Sequence, residues 1–385
     1  MEFIPYSRQE VSQDDVDAIC SVLQSDYLTQ GPAVPVFEKA FALEQKVSNA
    51  MAVSNATAGL HIALLALGVS RGARVWTSPN SFVASANCAL YCGASIDFVD
   101  IDPTTRNMSI GALRAKLEHK SSVGELPDVV IPVDFAGLPC DLRELRELAD
   151  TYNFKIVEDA SHATGAAYQG SPVCSKFADI TVFSLHAVKI ITTGEGGIVT
   201  TNDNAIAHRL RLLRSHGISR DAQVLERDSP GLWYYEQSIL GYNYRMTDFQ
   251  AALGTSQLRR LPELRSRREA LVHRYDELLA GLPLVLQPRL TDRLNAWHLY
   301  VVELDGGPKS RQDVFQTMRS ENIGVNVHYI PIHTHPYYAR LGYRWGDFPA
   351  SERYYERALT IPLFPAMTHS QQDRVVSVLK SALHS

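Results

Sequence analysis

An acidic segment follows one of the strands that the sequence predicts. Residues 155–157 are predicted to form a short strand, and Glu158–His162 continues directly from it. A carboxylate at the end of a buried strand is costly to desolvate unless a cation or a hydrogen-bond donor meets it. We therefore expect Asp159 to face a partner group, with a helix cap or a local turn as the alternative.

A lysine in an apolar setting is the second group that could do chemistry. Lys189 stands between Val188 and Ile190. Desolvation at such a position favours the neutral amine, which is the form that attacks carbonyl carbon atoms and makes imines. A lysine at a strand end whose charged group extends into solvent would give the same pattern.

A third segment, Ser54–Gly59, lies between a predicted strand and a predicted helix. Its small residues would let a phosphate approach backbone N–H groups at the positive end of the helix dipole, and Thr57 adds a hydroxyl. The segment lacks the glycine spacing of a dinucleotide fingerprint and of a Walker loop. An anion site, a strand-end carboxylate and a desolvated lysine are together what pyridoxal phosphate requires: an anchor, a partner for its pyridine nitrogen and an amine for its aldehyde.

The elements that must position these groups follow a regular order. Short apolar strands alternate with helices after a first helix with Ser12 as its N-cap, which predicts an α/β fold with a mostly parallel sheet and helices on both sides. Functional residues in such a fold lie at the carboxyl ends of the strands. We predict a large domain over residues 1–255, whose N-terminal segment can pack on a smaller α+β domain over residues 256–385. Within the smaller domain we expect a long helix over 258–279 and a strand over 324–329.

The composition excludes several classes of protein. Of 385 residues, 45% are hydrophobic and 21% are charged, as in ordinary soluble globular proteins. The formal net charge of -5 has the wrong sign for a chain that binds nucleic acid or an anionic membrane surface. Five cysteines, an odd number, disfavour a disulfide framework, and Cys88 and Cys92 lack the second Cys or His pair of a metal site. With no signal peptide and no apolar run of about 18 residues, we expect a cytoplasmic protein that binds no nucleic acid, membrane or metal.

Several motifs, taken in order, resemble the DegT/DnrJ/EryC1/StrS family of sugar aminotransferases, which have the aspartate aminotransferase-like (type I) fold of pyridoxal phosphate enzymes. The segments that carry the resemblance are Leu28–Pro32, Ser81–Ala84, Glu158–His162, Ser184–Gly197, Gly241–Met246 and His328–Pro331. The resemblance covers nearly the whole chain. It implies a transaminase, because family members that dehydrate their substrate carry His where Lys189 stands here.

The same resemblance implies roles for the residues around the cofactor ring. Lys189 would bond to the aldehyde and then move the proton between the substrate and the cofactor. Asp159 would pair with the pyridinium nitrogen, His162 would lie near the ring hydroxyl, and Ser161 belongs to the same cofactor-binding segment. Phe82 would stack on the ring, unless it is a core aromatic residue.

The cofactor phosphate would be held by two neighbouring subunits. The resemblance implies that Thr57, the Ala58 backbone and Ser184 bind it from one subunit and that Asn243 reaches it from the other. That arrangement implies a homodimer with shared active sites, because a monomer would leave the cofactor partly unanchored.

The resemblance also implies the substrates. L-Glutamate would donate nitrogen to C4 of a UDP-linked 4-keto-6-deoxy N-acetyl sugar, as in family members of pseudaminic acid biosynthesis, with Asp134 among the residues that favour this subgroup. Alternatives are another keto sugar, linked to UDP or dTDP, and a non-catalytic regulator that binds the cofactor. The residues expected to contact the sugar nucleotide are Tyr6, Leu28, Thr29, His328, Tyr329 and Arg245, of which Arg245 could instead order its loop and the others could be structural.

Overall fold

The computed structural model describes residues 2–221, 223, 225–306 and 309–384 of the chain. Its helices are α1 (Gln13–Leu23), α2 (Ala33–Glu44), α3 (Ala56–Ala66), α4 (Ala84–Tyr91), α5 (Ile110–Ser121), α6 (Leu142–Tyr152), α7 (Asn204–Arg214), α8 (Asp248–Arg259), α9 (Leu261–Leu279), α10 (Arg311–Ser320), α11 (Pro336–Ala339), α12 (Pro349–Arg357) and α13 (His369–His384). Its strands are β1 (Asn49–Val53), β2 (Arg74–Thr77), β3 (Ser95–Phe98), β4 (Val129–Ile131), β5 (Lys155–Asp159), β6 (Ala167–Tyr168), β7 (Ser171–Pro172), β8 (Ile180–Ser184), β9 (Gly197–Thr201), β10 (Ile218–Ser219), β11 (Glu236–Gln237), β12 (Leu284–Val285), β13 (Arg293–Leu294), β14 (Tyr300–Leu304) and β15 (Ala358–Ile361). Turns of 3₁₀ helix lie at Phe135–Gly137, Val173–Ser175 and Ile332–Thr334.

The central sheet has seven strands in the order β1-β9-β8-β5-β4-β2-β3. The strands from β8 to β3 pair in parallel, whereas β9 is antiparallel to both β8 and β1. Helical crossovers separate most of the parallel strands, as parallel pairing requires. The predicted α/β fold with a mostly parallel sheet is confirmed.

The two faces of this sheet bury two different apolar clusters. Met51 and Val53 of β1 pack with residues of α3, α4 and α7, while Ala50 and Ala52 pack with residues of α2, α5, α6 and α8. Successive strand residues point to opposite faces, so alternate residues join alternate clusters. The predicted helices on both sides are therefore present, and the neighbours Glu158 and Asp159 face opposite sides of β5.

The first helix begins where the sequence predicts. Ser12 is its N-cap, and the Ser12 hydroxyl accepts a hydrogen bond from the Asp15 N–H at 3.3 Å. The apolar residues Val16 and Leu23 of this helix are 42% and 56% exposed in the single chain. The helix packs on α8 through its other face, where the buried Asp15 carboxylate accepts a hydrogen bond from the Gln257 side chain at 2.6 Å.

Two predicted elements of the C-terminal part are wrong in detail. The helix expected over 258–279 is two helices, because α8 ends at Arg259 and α9 begins at Leu261 with Pro262 in its first turn. Proline has no N–H to continue a preceding helix and fits the first turn of a new one. The strand expected over 324–329 forms no ladder in the described residues, where only Asn326 pairs, with Thr360, as an isolated bridge. Several residues of this segment line the cavity described below instead.

The C-terminal elements bury an apolar cluster of their own. It is built from residues of α9, α10, α13, β14 and β15, and Ile4 of the N-terminal segment joins it. Ile4 also pairs with Ile323. A domain boundary between residues 255 and 256 stays a prediction. In the part of the chain that the structure describes, we find no helix with the length and apolar character to span a membrane.

Candidate active site

A cavity of about 800 Å³ lies at the carboxyl ends of β5 and β8 and beside the first turn of α3. Parallel strands bring their carboxyl ends to one edge of the sheet, which is why residues far apart in sequence meet there. The cavity collects most of the predicted site residues: Tyr6, Thr57, Phe82, Asp159, Ser161, His162, Ser184, Lys189, His328 and Tyr329.

Lys189 lies in the connection between β8 and β9. Its backbone N–H donates to the His186 carbonyl at 2.9 Å, which fixes the turn that presents the side chain to the cavity. Burial lowers the pKa of the Lys189 amine to about 8, and the charge of Asp159 opposes part of this shift. Near neutral pH the amine is therefore much more easily deprotonated than that of an ordinary surface lysine.

Two donors fix the Asp159 carboxylate at the end of β5. Its Oδ2 accepts a hydrogen bond from the Ser85 hydroxyl at 2.6 Å, and its Oδ1 accepts one from the Ser161 N–H at 3.1 Å. Because Ser85 gives its only hydroxyl proton to Asp159, the Ser81 hydroxyl donates to Ser85 in their 2.7 Å contact. The local turn that we weighed as an alternative for Asp159 is thus present together with a tertiary partner on α4.

His162 is buried between the backbone and Tyr329. Its Nδ1 accepts from the Ala136 N–H at 3.2 Å, and its Nε2 lies 3.1 Å from the Tyr329 hydroxyl. Burial, with the charge of Lys189 as a second cause, holds the pKa of His162 well below its usual value. The ring is therefore neutral, and with Nδ1 as acceptor its proton is on Nε2, which donates to Tyr329.

The first turn of α3 offers backbone donors at the cavity. Asn55 caps the helix, and its Oδ1 accepts from the Ala58 N–H at 2.8 Å. The preceding N–H groups of Ala56 and Thr57 have no acceptor within the helix. Gly197 lets the start of β9 lie close to the first turn of α3, since a Cβ at this position would lie only 2.7 Å from the Ala56 nitrogen.

Phe82 is 59% exposed and lines the cavity, with its ring centroid 6.4 Å from that of Tyr329. The alternative of a core aromatic residue is therefore wrong. Ser184, at the end of β8, also lines the cavity, and its hydroxyl accepts from the His186 N–H at 3.4 Å.

Three further histidines line the cavity, His186, His298 and His328, and only His328 has a role predicted from the sequence. His298 is buried, lines the cavity and lies with its ring centroid 4.5 Å from that of His162. Burial and the Lys189 charge hold the pKa of His298 well below its usual value, and they lower that of His328 to about 3. The position of His298 in the sequence gives no signal of this role, because only the tertiary fold brings it to His162. Other polar lining residues without a predicted role are Asn55, Ser81, His186, Glu195 and Asn326.

The remaining predicted residues lie outside the cavity lining of this chain. Ala58 is buried under its cap, and Leu28 and Thr29 lie in the segment before α2, where Thr29 pairs with Thr247. Asn243 is exposed and pairs with Ser215, to whose hydroxyl the Arg245 guanidinium donates at 3.1 Å. Their predicted contacts with cofactor or substrate stay predictions.

The residues present fit pyridoxal phosphate. An amine with a lowered pKa, a carboxylate held by two donors and free N–H groups at a helix N-terminus face one cavity. Among the described residues, no group of three or more His, Cys, Asp or Glu side chains is arranged to hold a metal ion.

The proteins that this chain resembles include an uncharacterized protein, a polysaccharide biosynthesis protein and sugar aminotransferases of known structure. At 37% identity the chain matches an uncharacterized protein of Methanocaldococcus jannaschii, over 98% of this chain and 97% of the other, and the spore coat polysaccharide biosynthesis protein SpsC of Bacillus subtilis, over 98% and 96%. Solved structures with a TM-score of 0.89 include Spr1654 of Streptococcus pneumoniae, described as a sugar aminotransferase in its PMP form, at 29% identity over 98% of both chains. Another is Helicobacter pylori PseC, an aminotransferase of pseudoaminic acid biosynthesis, at 28% identity over 99% of both chains.

The family assignment rests on nearly the full length of the chain. The sequence pattern of the DegT/DnrJ/EryC1/StrS aminotransferases matches residues 9–380, and structural neighbours have been solved in PLP and PMP forms. Both findings agree with the presence of the Lys189 amine, the Asp159 carboxylate and the free N–H groups of α3 at one cavity. The chain belongs to the DegT/DnrJ/EryC1/StrS aminotransferase family, and its cofactor is pyridoxal phosphate.

Proposed function

We propose that the protein transfers an amino group from L-glutamate to C4 of a UDP-linked 4-keto-6-deoxy N-acetyl sugar. The product would be UDP-4-amino-4,6-dideoxy-N-acetyl-β-L-altrosamine, in pseudaminic acid biosynthesis in the cytoplasm. The observation that carries the aminotransferase chemistry is the presence of Lys189, Asp159 and the α3 N-terminus around one cavity. The likeness to PseC across the whole chain supports the choice of sugar.

The bound cofactor supplies an electron sink for the substrate carbon that loses its proton. In our proposal Lys189 removes and returns that proton, because its lowered pKa makes the neutral amine accessible near neutral pH. Asp159 stabilises the positive charge of the ring nitrogen, and the donors Ser85 and Ser161 hold its oxygens in place. His162 is neutral and hydrogen-bonded to Tyr329, so it would bring no charge to the surroundings of the ring hydroxyl.

We assign the phosphate to the first turn of α3, with the Thr57 hydroxyl, the Ser184 hydroxyl and the free N–H groups as donors. The Ala58 N–H would have to leave its Asn55 cap to take part. Phe82 would cover one face of the ring. Tyr6, His328 and Tyr329 line the rest of the cavity and are our candidates for sugar contacts.

The residues outside this cavity lead us to propose a homodimer. We assign Asn243 to the cofactor site of a second copy, because it is exposed and lies outside the cavity of its own chain. Leu28, Thr29 and Arg245 are further candidates for contacts with the sugar nucleotide. A monomer would then lack one anchor of its cofactor.

A second candidate differs in the sugar. The chain is also 37% identical to SpsC, a protein of spore coat polysaccharide biosynthesis, so its likeness is not confined to the pseudaminic acid pathway. UDP-4-keto-arabinose and dTDP-4-keto-6-deoxyhexoses are therefore tested beside the UDP-linked N-acetyl sugar.

The visible absorption spectrum of the purified protein tests the chemistry. We expect a yellow band from the lysine-linked cofactor that fades when L-glutamate is added and returns when the correct 4-keto nucleotide sugar follows. Borohydride reduction and peptide mapping should place the adduct on Lys189. Lys189→Ala should give no adduct, whereas Lys155→Ala, which changes an exposed lysine, should behave as the wild type.

An adduct on another residue would reject the catalytic assignment of Lys189. Cofactor binding without loss of the band would identify a non-catalytic regulator, and turnover of dTDP sugars alone would reject the UDP sugar.

A further inference from the structure

Two carboxyl groups lie side by side beneath the active site. Asp134 follows β4 and Glu158 belongs to β5, and both side chains are completely buried. Each has one partnered oxygen: Asp134 Oδ1 accepts from the Cys140 N–H at 2.8 Å, and Glu158 Oε2 accepts from the Thr181 hydroxyl at 2.8 Å. Asp134 Oδ2 and Glu158 Oε1 are buried and have no donor among the described residues, and the two side chains lie within hydrogen-bonding reach of each other.

No cation compensates this pair in the described surroundings. The titratable groups near it are Asp159, which lies on the opposite face of β5 from Glu158, Cys140 on the loop after Asp134 and Cys174 on the 3₁₀ turn that follows β7. Burial raises the pKa of both thiols, so neither thiol carries a charge, and Asp159 is an acid itself. Asp141, directly after Cys140, forms an ion pair with Arg293 at 2.7 Å. The charge of Arg293 is thus compensated by Asp141 and not by the Asp134–Glu158 pair.

Two adjacent carboxylates without a cation cannot both stay ionised in a buried site. A proton between Asp134 Oδ2 and Glu158 Oε1 satisfies both orphan oxygens with one hydrogen bond. Burial raises the pKa of Asp134 from its usual 3.8 to about 7, an effect that the hydrogen bond with Glu158 opposes and the charge of Asp159 reinforces. Burial and the charge of Asp134 raise the pKa of Glu158 well above its usual value. The electrostatics thus agree with the geometry.

The loop that begins at Asp134 carries the contacts of two active-site histidines. Asp134 clamps both ends of it, because its N–H donates to the Asp159 carbonyl at 3.1 Å and its carboxylate accepts from Cys140. Between these ends, the Ala136 N–H donates to His162 Nδ1 at 3.2 Å, and the Ala136 carbonyl accepts from the His298 N–H at 3.0 Å. Ala136 has a left-handed φ of 57°, a conformation that persists in a non-glycine residue only where its surroundings impose it.

We infer that Asp134 and Glu158 hold one proton between them and that this carboxyl pair positions His162 through the loop to Cys140. Neither group touches the cavity, so both are positioning residues. The shared proton does not depend on the proposed function. The positioning of His162 rests on it only because the proposed function gives His162 a role at the cofactor.

The shared proton can be detected without any substrate. In the infrared spectrum of the cofactor-loaded protein at pH 6, we expect the carbonyl stretch of a buried protonated carboxyl group. Glu158→Gln and Asp134→Asn should each remove that band, because an amide then supplies the hydrogen bond and the remaining acid can ionise. Asp141→Asn, on the same loop but outside the pair, should leave the band unchanged. A wild-type spectrum without the band, or a band that survives both variants, would overturn the shared proton.

The pH dependence of stability gives a second measure. The raised pKa means that the folded protein binds more protons than the unfolded chain between about pH 4 and pH 7, so the free energy of unfolding falls as the pH rises through this window. Asp134→Asn should flatten that slope, and its unfolding midpoint relative to the wild type should rise from pH 4 to pH 7. Equal slopes in the two proteins would contradict the inference.

Two substitutions of Asp134 test whether it positions His162. Asn at position 134 keeps an oxygen for the Cys140 N–H, whereas Ala removes it. Nitrogen NMR of His162 should show the Nε2–H tautomer in the wild type and in Asp134→Asn, and a mixture of tautomers in Asp134→Ala. An unchanged tautomer in a folded Asp134→Ala protein would reject the positioning role, and a failure of amino transfer to any sugar would leave these results untouched.

Discussion

Burial and the charge of Asp159 act on the Lys189 amine in opposite directions. Burial lowers the pKa of the Lys189 amine, and the Asp159 charge raises it, with a result of about 8. The carboxylate therefore limits how far the amine is driven towards its neutral form. Its own oxygens are occupied by Ser85 and Ser161, so it does not need the lysine as a hydrogen-bond partner.

The lowered pKa predicts how the cofactor is loaded. Only the neutral amine attacks the cofactor aldehyde, so the rate at which cofactor-free protein acquires the yellow band should rise with pH and level off above about 8. An exposed lysine with an ordinary amine would give a midpoint roughly two units higher, near 10.4. Stopped-flow absorbance over pH 6 to 10 measures the midpoint, with Lys189→Ala as the blank. A midpoint near that of free lysine would show that the amine is not desolvated.

At the level of residues, the sequence predicts the groups that are chemically conspicuous. Lys189 and Asp159 stand out because charged groups beside apolar strands need a reason to be there. Ser85 and His298 were not predicted, because a serine in a helix and a histidine at a strand start are ordinary residues until the fold brings them to Asp159 and His162. Ser85 is separated from Asp159 by 74 positions in the chain.

The helix α4 gives the clearest link between an element and the site. The alternation of strands and helices in the sequence is consistent with a helix here, yet it does not show that Ser85, in the first turn of α4, donates to Asp159 at the end of β5, or that Ser81, which precedes the helix, contacts Ser85. The order of the strands decides that, and strand order is a long-range property. The helix break at Arg260 has a local cause instead, because the Arg, Glu and Leu pattern continues across it while Pro262 begins a new helix.

Removing the Ser85 hydroxyl should weaken the cofactor site. Ser85→Ala leaves Asp159 Oδ2 without a donor, and a hydrogen bond to a charged group contributes roughly 1.5–3 kcal/mol. We expect the dissociation constant of the cofactor to rise about ten-fold or more, with little change in the secondary structure. Ser95→Ala is the matched control, because its hydroxyl meets the Ala73 carbonyl away from the cavity. Equal affinities in the two variants would show that Ser85 does not support Asp159, and the comparison is made by titration of the visible absorbance.

At the scale of the whole molecule, several large apolar side chains are exposed to solvent in the single chain. Leu232 is fully exposed, Trp233 is 71% exposed and Leu240 is 79% exposed, all in or next to the segment that joins β10 to β11. Large exposed apolar side chains near a site are frequent at protein interfaces. Asn243 follows closely in the chain, so this part of the surface is where we expect a second copy to contribute to the site. The sequence alone could predict this only through the family resemblance, because no local pattern records what a second copy covers.

Heterodimers that carry different substitutions test the shared site. We would co-express Lys189→Ala with Asn243→Ala under two affinity tags and isolate the mixed dimer. If Asn243 acts on the other subunit, this dimer holds one intact site and one doubly altered site, and it should bind the lysine-linked cofactor at about half of the wild-type capacity when cofactor is limiting.

The matched control reverses the expected result. A dimer of the wild type with a subunit that carries both substitutions has no intact site if Asn243 acts across the interface, because one site lacks Lys189 and the other lacks Asn243. If Asn243 acted within its own chain, this second dimer would keep one intact site and the first would keep none. The two dimers therefore give opposite results under the two arrangements, and a monomer in sedimentation experiments at working concentration would reject the shared site directly.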